Sequence, residues 1–210
     1  NIDTPDVFIP DPEIINCEEP EVSIFSFISG QNGNLSFDWN TTNGAIIGAA
    51  DNPSILVNSG GDYFLEVTDL NKGCTSKSQI EVLENTNTPE FQIMIPDTLN
   101  CRNLTVNLEP IIINPSTNFI FDWTSMDGGF AASSNQSLTT VNLEGIYSLL
   151  VTDSTSKCSH AETIQVFENR NYPTVLIESQ DSLDCGETTI IDASNSSQGS
   201  NFTYNWTTPN

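Results

Sequence analysis

Sliding the chain along itself by 84 positions superimposes it on its own pattern, and this periodicity constrains the fold more than any other feature. Cys17, Cys101 and Cys185 fall in one column and Pro5, Pro89 and Pro173 in another, while Phe37-Asp38-Trp39 lies over Phe121-Asp122-Trp123. The stretch GDYFLEVTDLNKGC, Gly61 to Cys74, returns as GIYSLLVTDSTSKC, Gly145 to Cys158. In the third copy one residue is lost between Cys185 and Trp206, and Tyr204-Asn205-Trp206 stands where Phe-Asp-Trp stood. The expected organisation is a linker over 1–4, one unit over 5–88, a second over 89–172 and part of a third over 173–210, a window on a longer repetitive chain.

Within each copy, short alternating runs are separated by clusters of Gly, Asn, Pro and Ser, and no segment has a helical period. In the second copy the pattern predicts strands near 91–95, 104–108, 118–123, 138–141, 146–152 and 162–167. Tyr147, Leu149 and Val151 should share one face, because side chains alternate along a strand. Trp123 should lie between two sheets. Six or seven short strands, a central Trp and a Cys pair predict an all-β fold, a tandem array of immunoglobulin-like sandwiches.

The formal net charge is −23. Residues 5–88 carry 13 acids against 2 lysines, and 89–172 carry 9 acids against 3 bases. Such a surface repels nucleic acid and anionic membranes. No apolar run approaches the ~20 residues of a membrane-spanning helix. Nucleic acid and membranes are therefore not expected partners; the repeat points instead to neighbouring repeats of the same chain, other copies of it in a fibre, or surface glycans and proteins.

Five cysteines resolve, once the period is applied, into one pair per complete copy plus Cys185. Because both members recur, bridges are expected in preference to free buried thiols: Cys17–Cys74, Cys101–Cys158, and Cys185 with a cysteine beyond Asn210. Disulfides persist outside the reducing cytosol, so an extracellular or cell-surface location is expected. A zinc site is not, since each pair lacks further ligands and His160 is the only histidine.

Phe-Asp-Trp followed by Gly44 or Gly128, then Gly-x-Tyr with Val-Thr-Asp and a nearby Cys, resembles the PKD-like and SprB-type repeats of very long surface proteins of Bacteroidota. The resemblance covers the whole chain, although Trp-Asn-Thr-Thr-Asn-Gly and Trp-Thr-Ser-Met-Asp-Gly-Gly replace the WDFGDG-like turn common in PKD domains. It implies secretion, often by the type IX system, and a role as an adhesive or spacer stalk. Asp97-Thr98-Leu99, Asp153-Ser154-Thr155 and Asp181-Ser182-Leu183 are similar to the triplets that Bacteroidota O-glycosylate, which makes Thr98, Ser154 and Ser182 the candidate sugar carriers.

Nothing in the chain forms a catalytic constellation. A nucleophilic triad needs a base beside its nucleophile, yet His160 has Ser76 as its counterpart one period earlier. Asp38 and Asp122 give way to Asn205 in the third copy, which points to a structural polar role such as a hydrogen bond in a turn. Calcium is the one cofactor with candidate ligands. Asp69 and Asp153 recur after Val-Thr, and Glu84 and Glu168 recur before the linkers, where they could cluster at domain junctions. The resulting expectation is a non-catalytic structural repeat region of a secreted stalk, adhesin or fibre protein; the alternative is a spacer or carbohydrate-binding region of a secreted hydrolase.

Overall fold

The computed structural model describes residues 4–30, 33–114, 118–179 and 182–208. No helix occurs among them, so none is long and apolar enough to cross a membrane. The first part of the chain forms β1 (Asp6–Phe8), β2 (Val22–Phe25), β3 (Phe27–Ser29), β4 (Leu35–Thr41), β5 (Ala45–Ile47), β6 (Ser54–Ser59), β7 (Gly61–Asp69) and β8 (Thr75–Val82). The second forms β9 (Phe91–Ile93), β10 (Leu99–Asn100), β11 (Val106–Leu108), β12 (Pro110–Ile112), β13 (Phe119–Ser125), β14 (Thr139–Val141), β15 (Gly145–Asp153), β16 (Ser159–Val166) and β17 (Glu168–Asn169). Strands β4, β7 and β8 recur as β13, β15 and β16 with no change of length or register.

Each set folds into two facing layers. One layer is the antiparallel sheet β4-β7-β8, or β13-β15-β16; the other is β2-β6-β5, represented in the second set by β11-β14 with Phe130 bridged to Val141. Alternation along β15 buries Tyr147, Leu149 and Val151 completely, and the same rule buries Tyr63, Leu65 and Val67 on β7. Two separate cores result, one built around Trp39 and the other around Trp123. Both indole N–H groups remain satisfied inside: Trp39 Nε1 donates to the Asn52 carbonyl and Trp123 Nε1 to that of Gln136. The six strands expected in the second copy are present with ends shifted by a few residues, while β10, β12 and β17 were not foreseen. These three are only two or three residues long, too short to show a period.

Asp38 and Asp122 depart from expectation. They lie mid-strand, opposite Glu66 and Leu150, on the solvent face of the sheet and not in a turn. Strand alternation makes this inevitable, because Trp39 and Trp123 next to them point inward. In the third copy Trp206 is 54 % exposed, against 2 % for Trp39 and 1 % for Trp123. The residues that cover Trp123 come from the later strand β15, and the described chain stops at residue 208.

The recurrent Gly and Tyr explain each other. A Cβ at Gly44 or Gly128 would overlap the ring of Tyr63 or Tyr147. The Tyr147 hydroxyl accepts from the Gly129 N–H (3.0 Å) and donates to the Leu143 carbonyl (2.9 Å); Tyr63 bonds in the same way to Ala45 N–H (2.9 Å) and the Ser59 carbonyl (2.6 Å). The turn after β15 shows the opposite economy. Lys157 adopts φ 59°, the left-handed region that Gly73 occupies at the matching position with φ 71°. Replacing Gly128 with Ala should therefore destabilise the second sandwich by about 1–3 kcal/mol, whereas Lys157→Gly should stabilise it by about 1 kcal/mol. Calorimetric melting of the two variants measures both signs.

Candidate functional site at the junction between sandwiches

The cysteines depart from the expected pairing. Cys17 is bonded to Cys158, with their Cα atoms 5.0 Å apart, and the expected bridges Cys17–Cys74 and Cys101–Cys158 do not form. Cys74, Cys101 and Cys185 are free thiols. The reason is the length of one strand. Ile15, two residues before Cys17, pairs in parallel with Glu84 just past the end of β8, its N–H donating to the Leu83 carbonyl. Cys74 immediately precedes the start of β8. Eight residues of strand separate these ends by roughly 25 Å, far beyond the ~7 Å limit for the Cα atoms of a disulfide.

Each sandwich thus carries its two cysteines at opposite poles. The far pole of the first presents Cys17 on a turn closed by Asn16, whose Oδ1 accepts from the N–H groups of Glu18 (2.9 Å) and Glu19 (2.8 Å). The near pole of the second presents Cys158 on a turn closed by Asp153, whose Oδ1 accepts from Thr155 N–H (2.7 Å) and Ser156 N–H (3.3 Å). Between them the Cys17 N–H donates to the Ser156 carbonyl at 3.0 Å, and Ser156 Oγ donates to the carbonyl of Asn87 in the linker at 2.8 Å. Ser156 and Cys158 are fully buried here. The role of Asn16 was missed, although an Asn or Asp precedes the first cysteine in all three copies.

The acids considered for calcium are occupied in other ways. Asp69, buried, closes the turn before Cys74 by accepting from Asn71 N–H (2.9 Å) and Lys72 N–H (3.2 Å), as Asp153 does before Cys158. Glu84 accepts from Gly60 N–H at 2.7 Å, and Glu168 lies 3.5 Å from Arg170. Among the described residues no three His, Cys, Asp or Glu side chains are grouped to hold a metal ion. His160 stands near the start of β16 with Nδ1 3.0 Å from the Pro89 carbonyl, where Ser76 Oγ bonds the Pro5 carbonyl in the first sandwich. The two side chains do the same work, fastening the incoming linker to the sheet. Of the candidate sugar carriers Thr98 and Ser182 are exposed and Ser154 is half-buried in the turn; Asp181 lies outside the described residues.

Burial pushes the Tyr63 and Tyr147 phenols above their ordinary value, opposed by their backbone hydrogen bonds and aided by Glu84 and Asp127 respectively. One further feature is unrepeated: Phe8 and Phe27 face each other across β1 and β3 with ring centroids 6.5 Å apart, and with Phe25 they remain more than half exposed.

The fold that emerges is all-β, a tandem of immunoglobulin-like sandwiches. Solved structures of such arrays resemble it. The N-terminal eight immunoglobulin domains of Down syndrome cell adhesion molecule match with TM-score 0.47 and 11 % identity, over 76 % of this chain and 27 % of that one. Murine CEACAM1b matches with TM-score 0.34 and 14 % identity, over 78 % and 100 %. Drosophila N-cadherin EC1-4 matches with TM-score 0.36 and 13 % identity, over 80 % and 50 %. No protein-family model and no curated protein matches the sequence.

Two outcomes are expected. Cys17→Ser should leave the far-ultraviolet circular dichroism unchanged but broaden the pair-distance distribution in small-angle scattering, because each core closes without the bridge. Tyr147→Phe should cost about 1–3 kcal/mol at neutral pH by leaving the Gly129 N–H without its acceptor. The phenol contributes fully below its unfolded value near ~10 and less as pH rises through its raised folded value, so this variant should also lose less stability than the wild type in alkaline melts.

Proposed function

We propose that this chain is a non-catalytic structural region of a secreted stalk, adhesin or extracellular fibre protein, built from units over 5–88, 89–172 and the start of a third over 173–210. The observation that carries the reading is the bridge between sandwiches. A disulfide inside a domain stabilises that domain, whereas one that crosses a linker fixes the orientation of neighbours and is useful only where geometry between domains matters. The unchanged register of β4-β7-β8 and β13-β15-β16 supports the same reading, since units that contact mainly their neighbours form quasi-one-dimensional arrays. The acidic surface would keep such an array soluble and spaced from anionic surfaces.

In this reading the chain is of the PKD-like, SprB type, is exported by a Bacteroidota type IX route to the cell surface, and is O-glycosylated at Thr98, Ser154 or Ser182. Unpaired strand edges offer a means of association into a filament. Immunogold labelling with antibody to residues 5–172 tests it: particles should decorate thin projections on intact cells of the source organism, and labelling confined to the cell interior would overturn it.

The exposed Phe8–Phe27 pair, with Phe25 exposed two residues before Phe27, favours a second reading, a carbohydrate-binding module of a secreted hydrolase. Its counterparts in the second unit are Gln92, Glu109 and Ile111, so such binding would belong to one unit only. A glycan array probed with the wild type and with Phe27→Ala distinguishes the readings. Signal that disappears in the variant supports the module, and absence of signal supports the stalk.

A further inference from the structure

We propose that every junction of the array is bolted in the way that Cys17 and Cys158 bolt this one. The first cysteine of each unit would bond the second cysteine of the unit that follows, so that no unit holds a disulfide of its own. This rests on the tandem-array reading above. It assigns partners to the thiols that the 210 residues leave free. Cys74 would bond a cysteine 141 residues upstream, the separation seen between Cys17 and Cys158, while Cys101 and Cys185 would each bond a cysteine about 140 residues downstream, because the third copy is one residue shorter.

The free thiols are presented as the bonded ones are. Asn100 Oδ1 accepts from Arg102 N–H (2.8 Å) and Asn103 N–H (2.9 Å), reproducing the Asn16 turn beside Cys101. The Leu99–Glu168 pairing reproduces that of Ile15 with Glu84, placing Cys101 at the far pole of the second unit. At the other pole Asp69 N–H donates to the Cys74 carbonyl at 2.9 Å, as Asp153 N–H does to that of Cys158 at 2.9 Å. What differs is the cover. Cys158 and Ser156 are buried by the preceding unit, while Cys74 is half-buried and Lys72, the counterpart of Ser156, is exposed. The occupant that fits the Cys74 pole is the Asn-Cys turn of a preceding unit, whose cysteine N–H would reach the Lys72 carbonyl.

Each bridge forms by thiol–disulfide exchange. A thiolate of one cysteine attacks an oxidising disulfide donor, the second thiolate displaces it, and the donor leaves as a dithiol carrying two electrons and two protons. The mechanical consequence follows from overlap. The bridge from Cys17 to Cys158 and the one from Cys101 into the third unit enclose overlapping stretches of chain, so tension entering at Cys17 passes through the sulfurs to Cys158 and runs along backbone only to Cys185 before leaving through the next bridge. Of the second core only Ile164 and Val166 on β16 lie on that path; Trp123, Tyr147, Leu149 and Val151 lie outside it, so their unfolding adds no length to the array.

The test is a non-reducing peptide map of the native full-length protein, alkylated with iodoacetamide before denaturation. The expected result is a Cys101 peptide joined to the one that carries the second cysteine of the third unit, with no label on Cys74 or Cys101. Label on either, or a bridge within a unit, overturns the proposal. Peptides from flanking copies together with labelled thiols would refute the bridge rule alone, whereas a map without flanking copies would refute the array reading with it. Force spectroscopy gives a second readout: the reduced protein should extend in steps of about 30 nm per unit, and the same steps in the oxidised protein would overturn the proposal.

Discussion

The length of β8 governs the architecture above the level of the single sandwich. A strand of eight residues holds its ends too far apart for the two cysteines of one unit to meet. The same strand, with the linker that follows it, brings the far pole of one unit against the near pole of the next. The covalent bond therefore falls between units. The cores need no disulfide, because each buries a Trp, a Tyr and a set of Leu, Ile and Val between two layers. Sulfur chemistry is thereby released from stabilising the fold and acts on the geometry of the array.

Around that bond the polar side chains work locally. Asn16 and Asp153 shape the two turns that offer the sulfurs to each other, and Ser156 ties the linker into the contact. His160 and Ser76 fasten the incoming chain to the same sheet position with different chemistry. Residues with the look of catalytic or calcium-binding groups thus act as hydrogen-bond fasteners.

Much of this was legible in the sequence. Alternation in Gly-Ile-Tyr-Ser-Leu-Leu-Val picked out the buried face of β15, and the lone indole of each of the first two copies marked a core. The cysteine columns recur with the period but do not say which copy supplies a partner, since a shift of one period leaves the pattern of columns unchanged. Only the three-dimensional distance between Cys17 and Cys74 decides between pairing within and between units. The Asn-Cys dipeptide was a visible signal of the presenting turn, but its meaning depends on the parallel pairing of Ile15 with Glu84, a contact of one residue that no periodicity announces. The dependence of Gly128 on Tyr147 was hidden for a similar reason: residues distant in sequence meet at a point.

The most direct test of the account is the disulfide map of the 210-residue chain itself, oxidised and digested without reductant. The account predicts one cross-linked product joining the Cys17 peptide to the Cys158 peptide, with Cys74 and Cys101 recovered as thiols. Products joining Cys17 to Cys74, or Cys101 to Cys158, would contradict it and return the bridges to the interior of each unit.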